Sequence, residues 1–208
     1  MILTVYLGLD IKIESEVILM FNGEKVTLRA LEMNDLDKIL KYWNNWDLRR
    51  SLLTNLPISK ISEEEWLRKA VKDDPFRDGA IHLAIEDKLT SEYMGNVGLF
   101  NIDLKSKRAE FGIAIMNREH FNKGFGTDAT KVLLWVGFHV LNLHSIYLRV
   151  INFNERGIQA YIKAGFKHAG VFREASYAEG SYHDMIVMDI LKKDFFEKFP
   201  PGSFVLKN

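Results

Sequence analysis

Apolar and polar residues alternate along several short segments of the chain, and this period of two is typical of β-strands that bury one face. The polar stretch from Asp87 to Glu92 separates two of these segments and predicts a hairpin turn. The predicted strands are KVTLRAL (25–31), AIHLAIED (80–87), YMGNVGLFNID (93–103), RAEFGIAIM (108–116), SIYLRVIN (145–152), FKHAGVFRE (166–174) and SYHDMIVMDIL (181–191).

Other segments carry apolar residues at helical spacing. The last of them begins with Asn154, a favoured N-cap residue, and ends at Gly165, a favoured C-terminal stop. The order β-α-α-β-β-β-α-β-α-β-β predicts an α/β fold, with a central mixed sheet and helices on both of its faces. The predicted helices are NDLDKILKYWNN (34–45), SEEEWLRKAVKDD (62–74), residues 126–141 and NERGIQAYIKAG (154–165).

The composition limits the kinds of function that the chain can have. Its 208 residues suffice for one domain with a full hydrophobic core. Lys plus Arg (28) equals Asp plus Glu (28), and a net charge of zero argues against non-specific binding to nucleic acids or anionic membranes. There is no Cys and the six His residues are scattered, so we expect neither disulfides nor a metal centre.

The first 20 residues, MILTVYLGLDIKIESEVILM, alternate like a strand but lack the pattern of a signal peptide, because charged residues interrupt the apolar stretch. We therefore expect a cytoplasmic protein. Residues 1–20 are predicted to add a strand or hairpin that could pack on a partner chain in a homodimer. An extra edge strand without a function is the alternative. Residues 21–195 are predicted to form a single domain, and residues 196–208 a C-terminal tail.

The stretch HFNKGFGTDATKVLLWV (120–136) places two glycines at the start of an apolar helix. A helix N-terminus carries unpaired N–H groups and a partial positive charge, and glycine lets a phosphate approach the backbone closely. With Lys123 beside Gly124 and Gly126, the stretch is a candidate pyrophosphate site. An ordinary glycine-containing turn is the alternative.

Two other phosphate motifs fit this stretch poorly. The P-loop spacing, Gly-x-x-x-x-Gly-Lys-Ser/Thr, does not occur in the sequence. The residues from Gly124 to Ala129 match the looser dinucleotide pattern Gly-x-Gly-x-x-Ala, but seven residues separate them from the end of the preceding strand at Met116. The next predicted strand also ends without the acidic residue that holds the ribose. An NAD-dependent oxidoreductase is therefore a disfavoured alternative.

The sequence from about Arg108 to Leu191 resembles the GNAT superfamily of N-acetyltransferases. The resemblance rests on Gly-x-Gly-Thr, followed by Asn-x-x-x-x-x-x-Tyr-x-x-x-Gly-Phe at residues 154–166. It is greatest with the branch that contains the ribosomal-protein alanine N-acetyltransferases and spermidine acetyltransferase. Residues 26–45 resemble the first strand and helix of that branch in pattern, whereas residues 1–19 carry no such resemblance.

The resemblance implies an enzyme that uses acetyl-CoA as co-substrate and needs no metal. The pyrophosphate would lie on the backbone amides of residues 122–127, which we call the glycine turn. The pantetheine would pair with the preceding strand, where that strand splays from residues 145–152. The usual Gln or Arg of the family, three residues before the first glycine, is Phe121 here, which we interpret as a lost side-chain contact. The implied cofactor-binding residues are Ile113, Ile115, Asn122, Lys123, Gly124, Phe125, Gly126, Thr127 and Asn154.

The strand before the glycine turn has two different faces. Glu110, Gly112 and Ala114 share one face, opposite the bulky residues that alternate with them. Two small residues on one face leave room for a ligand to pass. Packing of a helix against small residues explains them equally well.

Tyr161 is the predicted general acid, because the resemblance places it near the thioester sulfur, where its hydroxyl can protonate the leaving thiolate. On spacing alone a core aromatic is an equal alternative, since Ile158, Tyr161 and Ile162 lie at i, i+3 and i+4. Backbone amides near Ile115 can polarise the acetyl carbonyl.

The reaction also needs a base or a chain of waters to remove a proton from the attacking amine. Glu110 is our candidate base, with Glu174 and His183 in reserve on the later strands. An ordinary surface carboxylate is the other interpretation of Glu110.

The acceptors of this branch are a protein N-terminal amine or a small amine such as a polyamine. A protein terminus needs an open groove, whereas a polyamine needs clustered carboxylates. The run Ser62–Glu65 could supply them, although a solvated helix start explains it equally well. The alternative function is a non-catalytic acyl-CoA sensor on the same fold.

Overall fold

The computed structural model describes residues 21–52, 56–200 and 205–206, so the predicted N-terminal extension lies outside the described residues. The strands are β1 (Phe21–Asn22), β2 (Val26–Ala30), β3 (Ile81–Asp87), β4 (Tyr93–Asp103), β5 (Arg108–Ile115), β6 (Ser145–Ile151), β7 (Lys167–Ala178), β8 (Ser181–Leu191) and β9 (Val205–Leu206). The helices are α1 (Leu36–Trp43), α2 (Trp46–Ser51), α3 (Lys60–Ala70), α4 (Phe125–Trp135), α5 (Glu155–Ala164) and α6 (Lys192–Lys198).

The nine strands of the described residues form one sheet in the order β7-β8-β6-β5-β4-β3-β2-β1-β9. All neighbours are antiparallel except β5 and β6, which are parallel because α4 connects them as a crossover. The predicted hairpin turn joins β3 to β4, with the Asp87 amide donating to the Glu92 carbonyl at 2.9 Å. The predicted mixed sheet is therefore confirmed.

Helices cover both faces of the sheet and define two cores. On one face, α4, α5 and α6 enclose the larger core, in which Phe195 and Ile85 are completely buried. On the other face, α1 and α3 enclose a smaller core that contains Ile39 and Ala84. The neighbours Ala84 and Ile85 thus belong to opposite cores, as the period of two along β3 requires.

The helix after the glycine turn is less regular than its sequence predicts. It is α-helical to Trp135 and continues as one π-helical turn from Val136 to Val140. Gly137 lies in that turn, where a Cβ atom would lie only 2.6 Å from Ile146 Cδ1. Glycine therefore lets the irregular turn lie close against β6.

The packed part of the chain extends beyond residue 195, where the sequence places the end of the domain. Phe195 on α6 is completely buried, and Phe196 and Phe199 pack against the same core. The strand β9 pairs with β1 at the sheet edge. The predicted order of elements lacks α6, α2, β1 and β9 because such short elements carry little periodicity.

Candidate active site

The parallel pair of strands separates part-way along its length. The last paired position of β5 and β6 is Glu110 with Tyr147. Beyond it, a cavity of about 740 Å³ lies between Phe111–Ile115 of β5 and Leu148–Ile151 of β6, and the N-termini of α4 and α5 line it as well. Backbone groups of β5 that have no partner strand here can bind a ligand. The splay implied by the sequence resemblance is therefore present.

The glycine turn contributes a tightly bent backbone to one end of this cavity. Asn122 and Gly124 have left-handed conformations, with φ of 60° and 88°. Gly124 is the N-cap position of α4, and glycine adopts this conformation at the lowest steric cost. Gly126 lies inside the first helical turn, where a Cβ atom would make an ordinary contact of 3.6 Å with Ile115 Cγ1. Only Gly124 is thus required by the backbone conformation.

Asp128 ties the first turn of α4 to the hairpin between β1 and β2. Its carboxylate accepts hydrogen bonds from the backbone amides of Lys25 (2.7 Å), Val26 (3.0 Å) and Glu24 (3.3 Å). The residue is only 5% exposed. A Cβ atom on Gly23 would lie 2.4 Å from Asp128 Oδ2, so the hairpin approaches the carboxylate too closely for any side chain there. These contacts fix the position of the helix N-terminus at the cavity.

Cationic side chains surround the same end of the cavity. The Arg156 guanidinium lies 3.5 Å from the centroid of the Phe121 ring, which is a cation–π contact. Burial, with a smaller effect of Arg118, lowers the pKa of Arg156, but a guanidinium stays charged at neutral pH. Phe121 therefore holds a cation that another helix supplies. The charged residues that line the cavity are Lys25, Lys131, Arg149, Arg156 and Lys163, with Glu24, Asp128 and Glu155.

Tyr161 lines the cavity from α5. Its ring packs edge-on against Phe111 and Phe166, with centroid distances of 5.9 and 6.0 Å. Burial raises the pKa of the phenol to about 12, so the hydroxyl keeps its proton at neutral pH. Within the described part of the chain, no side chain or backbone group forms a hydrogen bond with this hydroxyl. The two interpretations of Tyr161 are thus compatible, because a core ring carries a hydroxyl that is available to a ligand.

Asn154 has a complete structural reason for its position. Its Oδ1 accepts a hydrogen bond of 3.0 Å from the Gly157 amide and so caps α5. It also lines the cavity beside the N-terminus of that helix. Capping therefore holds Asn154 where a bound ligand can contact it.

Glu110 lies at the point where the strands separate, but it does not line the cavity. Its Oε1 accepts a hydrogen bond from Arg149 Nε at 2.8 Å. Its Oε2 accepts from Asn101 Nδ2 at 3.0 Å and from the Tyr147 hydroxyl at 3.3 Å. The side chain is 14% exposed. Glu110 is therefore a bound carboxylate with both oxygens occupied, not a solvated surface group.

A neighbouring aromatic ring covers one of the two small residues of β5. A Cβ atom on Gly112 would lie 2.8 Å from Phe100 Cε2, and one on Gly98 would lie 2.7 Å from Phe100 Cζ. Ala114 packs against the smaller core. The Phe100 ring thus fills the space above Gly112, whereas Gly112 and Ala114 both line the cavity between β5 and β6, and room for a ligand along this face stays a prediction.

Residues 25–167 match the family model described as "Acetyltransferase (GNAT) domain". The chain belongs to the GNAT acetyltransferase family. Because the match spans most of the chain and includes both the splay and the glycine turn, this GNAT protein is an N-acetyltransferase. The NAD-dependent oxidoreductase alternative is set aside, and the resemblance noted in residues 108–191 is confirmed.

Similar proteins of the GNAT family include two enzymes named spermidine N(1)-acetyltransferase. The chain is 31% identical to that of Escherichia coli (strain K12) over 187 residues, or 89% of this chain and 97% of the relative. It is 33% identical to that of Vibrio cholerae over 177 residues, or 85% and 98%. The fold is also similar to a crystal structure of spermidine N-acetyltransferase from Vibrio cholerae in complex with CoA and spermine. The TM-score is 0.75 and the sequence identity is 31%, and the match covers 84% of this chain and 99% of that chain.

The cavity of this GNAT domain brings together most of the residues predicted to bind the cofactor, and Lys123 and Phe125 are the exceptions. Lys123 is exposed, and its carbonyl accepts a hydrogen bond from Lys25 Nζ at 2.7 Å. Phe125 packs against the larger core and lies edge-on to His120 at 5.8 Å. The predicted residues that line the cavity are Ile113, Ile115, Asn122, Gly124, Gly126, Thr127, Asn154 and Tyr161.

The reserve residues for catalysis and acceptor binding lie outside the cavity lining. The Glu174 amide donates to Asp184 Oδ1 at 2.8 Å, and His183 Nε2 lies 2.9 Å from Ser181 Oγ, so both belong to the β7–β8 hairpin. In the run Ser62–Glu65, Glu63 is buried, and burial raises its pKa. The start of α3 is therefore solvated at Ser62 and Glu65 but not at Glu63, and acceptor binding by this run stays a prediction.

Sequence reasoning missed Lys25, Arg156 and Asp128 at this site. Lys25 and Arg156 have no motif of their own, and only the fold brings them to the glycine turn. Asp128 immediately follows the glycine turn, so an acidic residue next to a cluster of positive groups was the available signal. For the residues with described positions, no group of three or more His, Asp or Glu side chains could hold a metal ion, and no helix has the length and apolarity of a membrane span.

Proposed function

We propose that the protein transfers the acetyl group of acetyl-CoA directly to a primary amine, on a protein N-terminus or on a small molecule. The observation that supports this most is the continuous cavity between β5 and β6, which runs from the N-terminus of α4 to Tyr161. Acetyl-CoA is the co-substrate of the family to which the chain belongs.

The two ends of the cavity suit the two ends of acetyl-CoA. The pyrophosphate would bind the amides from Asn122 to Thr127, because the first N–H groups of a helix have no carbonyl partner within it and carry a partial positive charge. Lys25 and Arg156 would add charge to this end. The pantetheine would bind the backbone from Ile113 to Ile115, where β5 has no partner on the side of β6.

The proposed reaction is a direct attack of the neutral amine nitrogen on the carbonyl carbon of the thioester. The C–N bond forms, the C–S bond breaks, and the departing thiolate takes the phenolic proton of Tyr161. The attacking nitrogen loses one proton, and solvent restores the proton of the phenol. The high pKa of Tyr161 keeps the acid in its protonated form between turnovers.

Glu110 stays our predicted base for the amine proton. Both of its oxygens already accept hydrogen bonds, and it lies at the edge of the opening, so it would act through an intervening water. The ion pair with Arg149 at 2.8 Å would fix the orientation of the carboxylate.

Acetyl-CoA is expected to raise the melting temperature of the protein, and NAD is not. A ligand at 100 times its Kd adds about 2.7 kcal/mol to the free energy of unfolding. Differential scanning fluorimetry with each compound measures this, followed by an assay of CoA release with an array of peptides, polyamines and amino acids. Equal shifts with both compounds would contradict the proposal, and acetyl-CoA binding without turnover of any amine would support the sensor instead.

Gly126→Val is expected to weaken acetyl-CoA binding without unfolding the protein. The nearest atom to a Cβ at this position is 3.6 Å away, so the fold tolerates the branch, whereas the branch enters the space of the pyrophosphate. The Kd, measured by calorimetry, should rise at least about tenfold, equal to about 1.4 kcal/mol.

The matched control is Gly170→Val on β7, because a Cβ atom there meets no atom within 4 Å. That variant should bind acetyl-CoA with an unchanged Kd. An unchanged Kd in a folded Gly126→Val variant would move the phosphate site away from the glycine turn.

The cytoplasmic location, the homodimer and the boundaries of the domain remain predictions. We propose that the folded unit extends past the predicted residues 21–195, because the aromatic residues of α6 belong to the larger core and β9 pairs with β1. Limited proteolysis and size-exclusion chromatography of the full chain test the boundary and the oligomeric state.

A further inference from the structure

A second cavity, of about 500 Å³, lies beyond the end of α3 and against β3 and β4. Aromatic rings form its walls. The Trp66 and His82 rings meet edge-on with centroids 5.5 Å apart, and the His82 and Phe100 rings are 5.0 Å apart. Trp66 is 36% exposed, so the cavity is open to solvent on its side. None of the residues predicted from the sequence as site residues lines it.

A carboxylate lies inside this aromatic cavity. The Asp73 side chain is 9% exposed, and its Oδ2 lies 3.2 Å from His82 Nε2. Burial lowers the pKa of His82, so the ring is mainly neutral at neutral pH and leaves the charge of Asp73 without a full counter-charge. Lys69 also lines the cavity, but no ion pair within 4.0 Å joins it to Asp73 in the described part of the chain.

The other carboxylate of the cavity has a partner. Asp78 forms an ion pair of 2.7 Å with Arg77 and accepts a hydrogen bond from the Asp74 amide at 2.9 Å. Asp73 is thus the group whose charge a ligand could neutralise. A buried carboxylate beside aromatic faces is an environment that favours an ammonium group, because both the charge and the ring quadrupoles attract a cation.

The Phe100 ring lies between the second cavity and the first cavity, which is the one between β5 and β6. Phe100 contacts His82 on one side, and on the other side its ring covers Gly112, which lines the first cavity. The next residue of β4, Asn101, also lines the second cavity and donates a hydrogen bond to Glu110 at 3.0 Å. His82 of the second cavity pairs with Gly98, and Gly98 pairs with Gly112 of the first, so the two cavities lie two strands apart. This separation is about 10 Å, which a short flexible diamine can span.

We propose that the second cavity binds the distal ammonium group of a small diamine or polyamine whose other nitrogen is acetylated at the β5–β6 opening. The proposal rests on the proposed function and specifies its acceptor. Asp73 would pair with the distal ammonium, and Trp66 and Phe100 would contact its methylene groups. A peptide acceptor does not need this cavity, because the reacting nitrogen of a protein N-terminus carries no distal ammonium at a fixed spacing.

Binding is measured first, so that the result does not depend on turnover. Calorimetric titration of the CoA-loaded protein with spermidine and with n-butylamine compares a ligand that has a distal ammonium with one that lacks it. We expect saturable binding of spermidine, at least about tenfold tighter than n-butylamine. Equal weak binding of both amines would overturn the proposal.

Asp73→Asn removes the charge and keeps the size of the side chain. We expect the Kd and the KM for spermidine to rise at least about tenfold, with the KM for n-butylamine and the Kd for acetyl-CoA unchanged. The matched control is Asp37→Asn, an exposed carboxylate on α1 that should leave all four constants unchanged. Trp66→Leu, which removes a ring face but no charge, should raise the spermidine constants as well.

The outcomes separate this proposal from the proposed function. If n-butylamine or a peptide is acetylated while Asp73→Asn changes nothing, the proposed function stands and the second cavity is not an acceptor site. If acetyl-CoA does not bind, the proposed function itself fails. Loss of n-butylamine turnover in Asp73→Asn together with loss of spermidine turnover would indicate a structural role for Asp73.

Discussion

Tyr161→Phe is expected to lower kcat by about 10²-fold or more, which is within the usual range for loss of a general acid. The ring remains, so its edge-on contacts with Phe111 and Phe166 should survive, and the melting temperature should change little. The Kd for acetyl-CoA should also stay nearly constant, because the hydroxyl would act mainly in the transition state. Single-turnover kinetics and calorimetry on one folded preparation measure both quantities.

The pKa of Tyr161 adds a condition that this result must satisfy. With a pKa of about 12, the wild-type phenol stays protonated throughout an assay between pH 6 and 9. A general acid loses its proton only as the pH rises through its pKa, so Tyr161 should stay active over this whole range. The rate should therefore rise with pH, because the acceptor amine loses its proton. The variant should show the same rise from a lower level. A wild-type rate that falls between pH 7 and 9 would contradict this assignment of the acid.

Tyr177→Phe is the matched control for the loss of one phenol. Tyr177 lies on β7, is 60% exposed and packs against Tyr182 away from the cavity. The Tyr177→Phe variant should therefore keep the kcat of the wild type. Wild-type turnover in Tyr161→Phe would leave Tyr161 as a core aromatic alone, and equal losses of binding and stability would make its hydroxyl structural.

The fold was predictable where the signals are local. The period of two along β2 to β8 and the caps around α5 are contained within single segments, so the elements and the mixed sheet could be inferred without long-range information. The cofactor turn was equally local, because Gly124 is needed for its own left-handed backbone. Local sequence was thus enough to predict the end of the cavity that the glycine turn forms.

The rest of the site depends on contacts between distant residues. Nothing near Glu110 in the sequence indicates that Arg149, 39 positions away, occupies one of its oxygens. The small residues of β5 likewise do not reveal that Phe100 from the neighbouring strand fills the space above Gly112. The cation at Phe121 comes from α5, which lies after the crossover. Side-chain packing between elements has no signature in a single periodic segment.

Asp128→Ala is expected to destabilise the protein more than any other change to the cofactor end of the cavity. The carboxylate is the acceptor for three backbone amides of the β1–β2 hairpin, two of them at 3.0 Å or less. Hydrogen bonds to charged groups contribute about 1.5–3 kcal/mol each, and buried donors left without a partner add a desolvation cost. Because the three share one acceptor, we expect a total loss of about 3 kcal/mol, or a fall in Tm of about 6–12 °C for a chain of this size.

The same substitution should also weaken acetyl-CoA binding, because the hydrogen bonds between Asp128 and the hairpin amides fix the position of the α4 N-terminus at the cavity. Asp103→Ala is the control, since its carboxylate accepts hydrogen bonds from the Lys105 and Ser106 amides in an exposed turn. It should cost less than about 1 kcal/mol, because water replaces the lost acceptor. Urea unfolding of both variants, with calorimetry of acetyl-CoA binding, gives the comparison. Equal and small losses for the two would mean that the hairpin amides find other partners, and that Asp128 does not position the helix.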